Sequence, residues 1–269
     1  MKVVEANETR LSFVDTGYVS GGRTMVALHS LGADNWLWIN QIAYLAPNAR
    51  VIAPDSRGHG HSGWNESVNL EDWVANIEAL LEEAGADTVD LMGVFMGGLQ
   101  AMAYVGRYPE RAGAMVVADS FSHLAVEVAE SKVEGTAGAA QQMGMQRYAE
   151  HYVSVTLTNP ANDDCAENLR EAIANMPLES PVSSVHACFY ADTSEALAEV
   201  RSPTLVLWGE RDEKVARPLS EEVAELVRDS EFKPVPAAGH LSNLDNPAAC
   251  NEILGEFLKV PIGASREAA

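Results

Sequence analysis

Residues 93–98 (Gly-Val-Phe-Met-Gly-Gly) carry the glycine spacing of the G-x-S-x-G turn. In that turn a sharp connection between a strand and a helix lifts a serine hydroxyl above a parallel sheet. A strand-like run precedes it at residues 88–92, and a helix-like run follows at residues 99–107. The serine position holds Phe95, and a benzyl side chain can act neither as a nucleophile nor as an acid or base. The turn therefore indicates a hydrolase site without its reactive hydroxyl.

Other polar stretches follow strand-like runs elsewhere in the chain, at residues 29–32, 209–212 and 239–240. Ligands of an open parallel sheet bind beyond the carboxyl ends of its strands, so we expect these loops to form the site together with the turn at Phe95. Asp119 and His123 follow one more apolar run, and they offer an acid and a base as an alternative to the acidic and histidine residues of the loops at 209–212 and 239–240.

The elements that must position these loops alternate between apolar strand-like runs and helix-like runs. Residues 70–81 form a strong helical stripe, with Asn69 as a cap and Gly85 as a stop. Such alternation predicts parallel strands joined by right-handed crossovers. Glycines in residues 17–23 predict a tight hairpin after the first strand. The predicted strands are residues 9–16, 24–28, 50–54, 88–92, 112–118, 203–208 and 231–236.

The alternating pattern breaks from residue 120 to about residue 200, where apolar residues at helical spacing are interrupted by Pro160, Pro177 and Pro181. We interpret this segment as an inserted helical lid, residues 120–200. Residues 1–119 and 201–269 then form a single α/β core.

Composition limits the classes of partner. A formal net charge of −21 argues against nucleic acid or an anionic membrane surface, because both would be repelled. Three widely spaced cysteines indicate neither a disulfide framework nor a zinc site. An N-terminus without an apolar signal segment, and the lack of any apolar run of 18 residues, predict a cytoplasmic protein that does not span a membrane.

Taken together, the motifs resemble those of the α/β-hydrolase family over essentially the whole chain. The order of turn, acid and histidine is that of the family. Residues 29–32 (His-Ser-Leu-Gly) and 55–62 (Asp-Ser-Arg-Gly-His-Gly-His-Ser) look most like those of 3-oxoadipate enol-lactonases and small-ester hydrolases. The resemblance implies an α/β-hydrolase fold, with a mostly parallel central sheet flanked by helices and an inserted lid.

The resemblance also implies roles for individual residues. His240 would be the general base, Asp212 would orient it and stabilise its cation, and Phe95 would occupy the nucleophile position. The backbone N–H groups of Leu31 and Met96 would form the oxyanion hole.

Substrate contacts are predicted for Ser30 and Trp38, although the pattern leaves open whether Trp36 and Trp38 face the pocket or the core. The turn at residues 55–62 is expected to support the oxyanion loop. No nucleotide or zinc motif occurs, so neither a cofactor nor a metal is implied. The expected ligand is a small ester, lactone or other carbonyl compound, and the oligomeric state is left open.

Three functions remain open at this point. The first is an ester or lactone hydrolase whose nucleophile has been replaced by Phe95, through engineering or natural loss. The second is an enzyme of another reaction type, which uses His240 and Asp212 as a base on substrate or water while Phe95 shapes the pocket. The third is a catalytically silent ligand-binding protein.

Overall fold

The computed structural model describes residues 1–159 and 163–260. Within these residues, eight strands form one sheet: β1 (Lys2–Ala6), β2 (Thr9–Asp15), β3 (Arg23–Leu28), β4 (Ala49–Pro54), β5 (Val89–Val94), β6 (Ala112–Ala118), β7 (Thr204–Gly209) and β8 (Ser230–Val235). Their order in the sheet is β1-β2-β4-β3-β5-β6-β7-β8. The pairs β1–β2 and β2–β4 are antiparallel, and all pairs from β4 to β8 are parallel.

This architecture confirms the predicted α/β fold with a mostly parallel sheet. The predicted hairpin at residues 17–23 is wrong, because β2 pairs with β4 and not with β3. Phe13 lies opposite Pro54, while Val26 of β3 lies opposite Ile52 on the other side of β4. Glycines set only the local geometry of a turn, and the strand partner depends on packing that those residues do not encode.

Helices flank the sheet and fill the connections between its strands. The helices are α1 (Ile39–Leu45), α2 (Leu70–Glu83), α3 (Met96–Arg107), α4 (Val126–Met143), α5 (Met145–Ser154), α6 (Asp163–Ala174), α7 (Glu179–Phe189), α8 (Ser194–Glu199), α9 (Arg217–Leu226), α10 (Ser242–Asp245) and α11 (Pro247–Leu258). The predicted cap of α2 is confirmed: the Asp72 N–H donates to the Asn69 side chain, and the Asn69 N–H donates to the Asp72 carboxylate, each at 2.9 Å.

Within the described residues, five helices, α4 to α8, lie between β6 and β7, and we call them the helical insert. The described part of residues 120–200 holds no strand, which agrees with the predicted helical segment. Pro181 does not interrupt a helix as expected. It lies in the first turn of α7, where its missing N–H has no intrahelical acceptor.

The division into a core and a lid stays a prediction, and its residues 160–162 and 261–269 lie outside the described ones. Across residues 1–159 and 163–260, each helix is too short or too polar to cross a bilayer.

The four central strands bring their carboxyl ends to one edge of the sheet. Leu28 of β3 lies opposite Gly93 of β5, and Val94 lies opposite Ala118 of β6, which in turn lies opposite Leu207 of β7. The loops that leave these strands therefore start side by side, as expected for a ligand site in a parallel sheet.

Candidate active site

The turn between β5 and α3 has a strained backbone at Phe95, with φ of 50° and ψ of −103°. Positive φ is disfavoured for a bulky side chain. The neighbouring glycines are required by close packing: a Cβ at Gly93 would overlap the Gly97 carbonyl oxygen, and a Cβ at Gly97 would overlap the Leu28 carbonyl oxygen. The turn therefore lies directly against the end of β3.

The Phe95 ring is enclosed by other rings. It is only 6% exposed and lies edge-on to Phe121 and to Phe189, with ring centroids 5.8 Å apart in both pairs. Its third ring neighbour is the imidazole of His240, at 5.0 Å between centroids. We call Phe95, Phe121 and Phe189 the aromatic cluster. The side chain at the turn thus points into the site and contacts its histidine.

His240 and Asp212 form a hydrogen-bonded pair at this edge of the sheet. His240 is 3% exposed, and its Nδ1 lies 3.0 Å from Asp212 Oδ2. Asp212 Oδ1 accepts the backbone N–H groups of Lys214 (2.8 Å) and Val215 (3.0 Å). Because a carboxylate only accepts, Nδ1 of the neutral imidazole carries the proton and Nε2 keeps its lone pair. No described residue forms a hydrogen bond to that Nε2, so it can take a proton from water or from a substrate.

The structure does not bring the alternative acid and base together. Asp119 is buried and accepts the N–H groups of Gly209 (2.8 Å) and Ser242 (3.0 Å), which join the end of β7 to the loop after His240. Burial, and to a lesser degree the charge of Asp212, raise the pKa of Asp119. His123 instead has its Nδ1 3.1 Å from Ser122 Oγ. Asp119 therefore supports the two loops that carry the His240–Asp212 pair.

The loop that contains Leu31 is held by a buried histidine. His29 Nδ1 lies 2.8 Å from the Ser30 carbonyl oxygen, and its Nε2 accepts the Ser56 N–H at 2.9 Å. These partners require a neutral ring with its proton on Nδ1, and burial correspondingly lowers the pKa of His29. No acceptor among the described residues takes the N–H of Leu31 or Met96. Both donors stay available for the predicted oxyanion hole.

The turn at residues 55–62 makes structural contacts. Asp55 accepts the N–H groups of Asn35 and His61, each at 2.8 Å. The ring of His59 lies 5.1 Å from that of His29, and burial lowers the pKa of His59 to about 3. His61 is largely exposed. This arrangement fits the expectation that the turn supports the loop of His29.

The predicted substrate contacts lie in different environments. Trp38 is 2% exposed and belongs to the hydrophobic core, and its Nε1 has no hydrogen-bond partner in the structure. Ser30 is fully buried, and its hydroxyl forms a hydrogen bond with the side chain of Tyr152. Trp36 is partly buried and packs against the core. A role in substrate binding stays a prediction for Ser30 and Trp38.

The sequence motifs did not indicate that three residues would lie near the site: Lys132 and Tyr152 of the helical insert, and Lys214 in the loop after β7. The Lys132 ammonium lies over Phe189, and the Lys214 ammonium lies over Tyr152. They come from separate elements, so no local motif connects them. The available signal was the rarity of lysine: the chain has only five, so each one in a strongly acidic protein is a candidate for binding an anion. No cluster of three or more His, Cys, Asp or Glu side chains within the described ranges is placed to hold a metal ion.

Known proteins resemble this chain over most of its length. In sequence, 3-oxoadipate enol-lactonase 1 of Acinetobacter baylyi is 26% identical over 242 residues, which cover 87% of this chain and 88% of that protein. A 2-hydroxy-6-oxo-2,4-heptadienoate hydrolase of Pseudomonas putida is 23% identical, covering 89% and 90%. In structure, the enol-lactonase of Burkholderia xenovorans LB400 superposes with a TM-score of 0.86 at 23% identity, covering 96% of this chain and 100% of that chain.

A thermophilic esterase of Thermogutta terrifontis also has the same fold, with a TM-score of 0.85 at 24% identity over 96% of this chain and 98% of that chain. The family itself is assigned by a match over a long part of the sequence. The family described as "alpha/beta hydrolase fold" matches residues 23–247, far more than half of the chain. The chain belongs to the alpha/beta hydrolase fold family.

Proposed function

We propose that this protein is an ester or lactone hydrolase by ancestry, in which Phe95 has replaced the nucleophile and closed the acyl-enzyme route. The observation that carries the proposal is the buried ring of Phe95, 5.0 Å from the imidazole of a His240 that keeps its partner Asp212. The relatives named as enol-lactonases and hydrolases support a carbonyl compound as the substrate.

The remaining groups suit direct attack by water. As a water oxygen bonds to the substrate carbonyl carbon, its proton passes to His240 Nε2, and the carbonyl oxygen gains the negative charge. The N–H groups of Leu31 and Met96 would stabilise that oxyanion. Collapse of the intermediate expels the alkoxide, which takes the proton back from His240. Sites that have lost their nucleophile keep roughly 10³ to 10⁴ over the uncatalysed rate, so we expect slow turnover.

A second candidate is favoured by the surroundings of Phe95. Two further rings, Phe121 and Phe189, pack edge-on against it, so the ring is part of a cluster and not a single large side chain in a site shaped for serine. Such a cluster would suit a pocket in which His240 removes a proton from the substrate and Phe95 forms a wall. The substrate would then be a carbonyl compound that is not cleaved through an acyl-enzyme.

The two candidates are separated by restoring the hydroxyl. We expect Phe95→Ser to raise kcat/KM on p-nitrophenyl acetate and on an enol-lactone at least about 100-fold, because removal of the nucleophile from a complete triad costs on the order of 10⁶ in kcat. The gain should vanish in the double variant Phe95→Ser/His240→Ala. The unmodified chain should show a low rate that His240→Ala lowers further.

Other outcomes contradict the first candidate. A folded Phe95→Ser variant without any gain, together with a His240-dependent reaction of the unmodified chain on a substrate that is not an ester, supports the second candidate. Ligand binding that survives His240→Ala with no product from either chain means a binding protein and contradicts both.

A further inference from the structure

Two lysines meet beside the candidate site in a strongly acidic chain. The net charge is −21, and only five residues are lysine. Lys132 of α4 donates from Nζ to the carbonyl oxygen of Lys214, in the loop after β7, at 3.0 Å. Lys2 and Lys233 pair with carboxylates, at 2.6 and 3.5 Å. Among the described residues, no carboxylate lies within ion-pair distance of the Lys132 or Lys214 ammonium.

Each ammonium group lies over an aromatic ring of the helical insert. Lys132 Nζ lies 5.9 Å from the centroid of Phe189, a member of the aromatic cluster. Lys214 Nζ lies 4.9 Å from the centroid of Tyr152 on α5, and Lys214 follows Asp212 by two residues. The pair therefore lies between the helical insert and the loop that carries Asp212, and Phe189 separates Lys132 from Phe95.

Burial and the neighbouring charge both act on the Lys214 ammonium. Both lysine side chains are partly buried; burial lowers the pKa of Lys214, the charge of Asp212 raises it, and the charge of Lys132 lowers it by a smaller amount. The charge of Asp212 opposes this effect, but that carboxylate already accepts His240 and two backbone N–H groups. An anion bound between the ammonium groups would relieve the repulsion and replace lost hydration.

Buried hydroxyls lie beside the same lysine. Ser30 and Thr156 are almost fully buried, and the hydroxyls of both form hydrogen bonds with the side chain of Tyr152. The ring of Tyr152 is the one over which the Lys214 ammonium lies. Lys214 and these three hydroxyls therefore form a polar end of the site.

We propose that Lys132 and Lys214 bind a carboxylate of the substrate, at the end of the molecule away from its reacting carbonyl, and that this pair sets a preference for anionic substrates. The proposal rests on the function proposed above for the position of the reacting carbonyl. Tyr152, Ser30 and Thr156 would complete the polar end of the pocket.

Binding to the unmodified chain tests the pair without any turnover. Calorimetry with glutarate and with its neutral analogue glutaramide compares the same carbon chain with and without charge. We expect glutarate to bind at least about tenfold more tightly, and each of Lys132→Met and Lys214→Met to remove about tenfold of that affinity, since a charge-assisted hydrogen bond is worth that much or more. Lys233→Met is the matched surface control and should change nothing.

Three results overturn the proposal in this experiment: no binding of glutarate, equal binding of glutarate and glutaramide, or full glutarate affinity in both lysine variants. Inorganic phosphate separates a substrate carboxylate from any small anion. Phosphate that binds as tightly as glutarate, with the same dependence on the two lysines, indicates a free-anion site and contradicts a substrate subsite.

Turnover by the Phe95→Ser variant gives a second test. The ratio of kcat/KM for p-nitrophenyl hemiglutarate to that for p-nitrophenyl valerate compares an anionic with a neutral acyl chain of equal length. Adding Lys214→Met should lower this ratio about tenfold through KM of the anionic ester, and Lys233→Met should not. Hydrolysis of both esters with an unchanged ratio overturns the subsite alone. Absence of hydrolysis contradicts the proposed function, while glutarate binding still decides the subsite.

Discussion

Replacing Phe95 by alanine and by glycine separates the packing of its ring from the strain in its backbone. The ring is 6% exposed and touches three other rings, so we expect Phe95→Ala to lower the free energy of unfolding by about 3 kcal/mol, at the low end of the usual 3 to 5 kcal/mol for buried phenylalanine. Alanine keeps the strain of a φ of 50°, whereas glycine does not.

Relief of strain at positive φ contributes about 1 to 3 kcal/mol, and the greater freedom of glycine in the unfolded chain offsets about 0.4 to 1 kcal/mol of it. Phe95→Gly should therefore be more stable than Phe95→Ala by up to about 2.6 kcal/mol. Phe121, which is 1% exposed and has no positive φ, is the matched control. There the glycine variant should be the less stable of the two.

Chemical denaturation of the four variants and the unmodified chain measures these differences. A Phe95→Ala variant as stable as the unmodified chain would refute the packing of the ring. A Phe95→Gly variant less stable than Phe95→Ala, with the same order at Phe121, would refute the strain at the turn.

Three further predictions concern the support of the site. Burial holds the folded-state pKa of His59 at about 3 against an ordinary 6.5, so the unfolded chain binds more protons between these values and the protein becomes less stable as the pH is lowered. Denaturation at pH 7 and at pH 5 should show that His59 contributes a loss of about 2 kcal/mol at the lower pH, and this loss should be absent in His59→Gln. Gly97→Ala should lower thermal stability by about 3 kcal/mol, because its Cβ would overlap the Leu28 carbonyl oxygen; an unchanged Tm would contradict that packing. Asp119→Asn sets an amide NH₂ against one of the N–H groups of Gly209 and Ser242, so we expect a loss of about 1 to 3 kcal/mol and a lower His240-dependent rate, and a neutral effect on both would argue against the support.

Elements with a local signal were predictable from the sequence. The run at residues 112–118 became β6 with the predicted bounds, because a short apolar run between turns is typical of a buried strand. Helix α2 begins after the predicted cap Asn69, since the cap and the apolar stripe are both local features. The order of the turn, the acid and the histidine along the chain likewise predicted that Asp212 and His240 act together, and the two side chains are hydrogen-bonded in the structure.

Features that depend on distant packing were not predictable. Strand β1 (Lys2–Ala6) lies at the sheet edge with mostly exposed residues, so it shows no buried apolar run. Its neighbour β2 pairs with β4, a choice set by the sheet and not by the glycines that follow β2. The contact between Lys132 and Lys214 joins residues 82 positions apart, and the buried tautomer of His29 depends on the loop after β4.

Covalent labelling tests most directly the claim that Phe95 closes the acyl-enzyme route. The intact mass of the protein is measured after incubation with a fluorophosphonate, which phosphonylates a serine activated by a neighbouring histidine. We expect no adduct on the unmodified chain, one adduct at position 95 of Phe95→Ser, and none on Phe95→Ser/His240→Ala. A His240-dependent adduct on the unmodified chain would contradict the account, because it would reveal a working nucleophile elsewhere in the site.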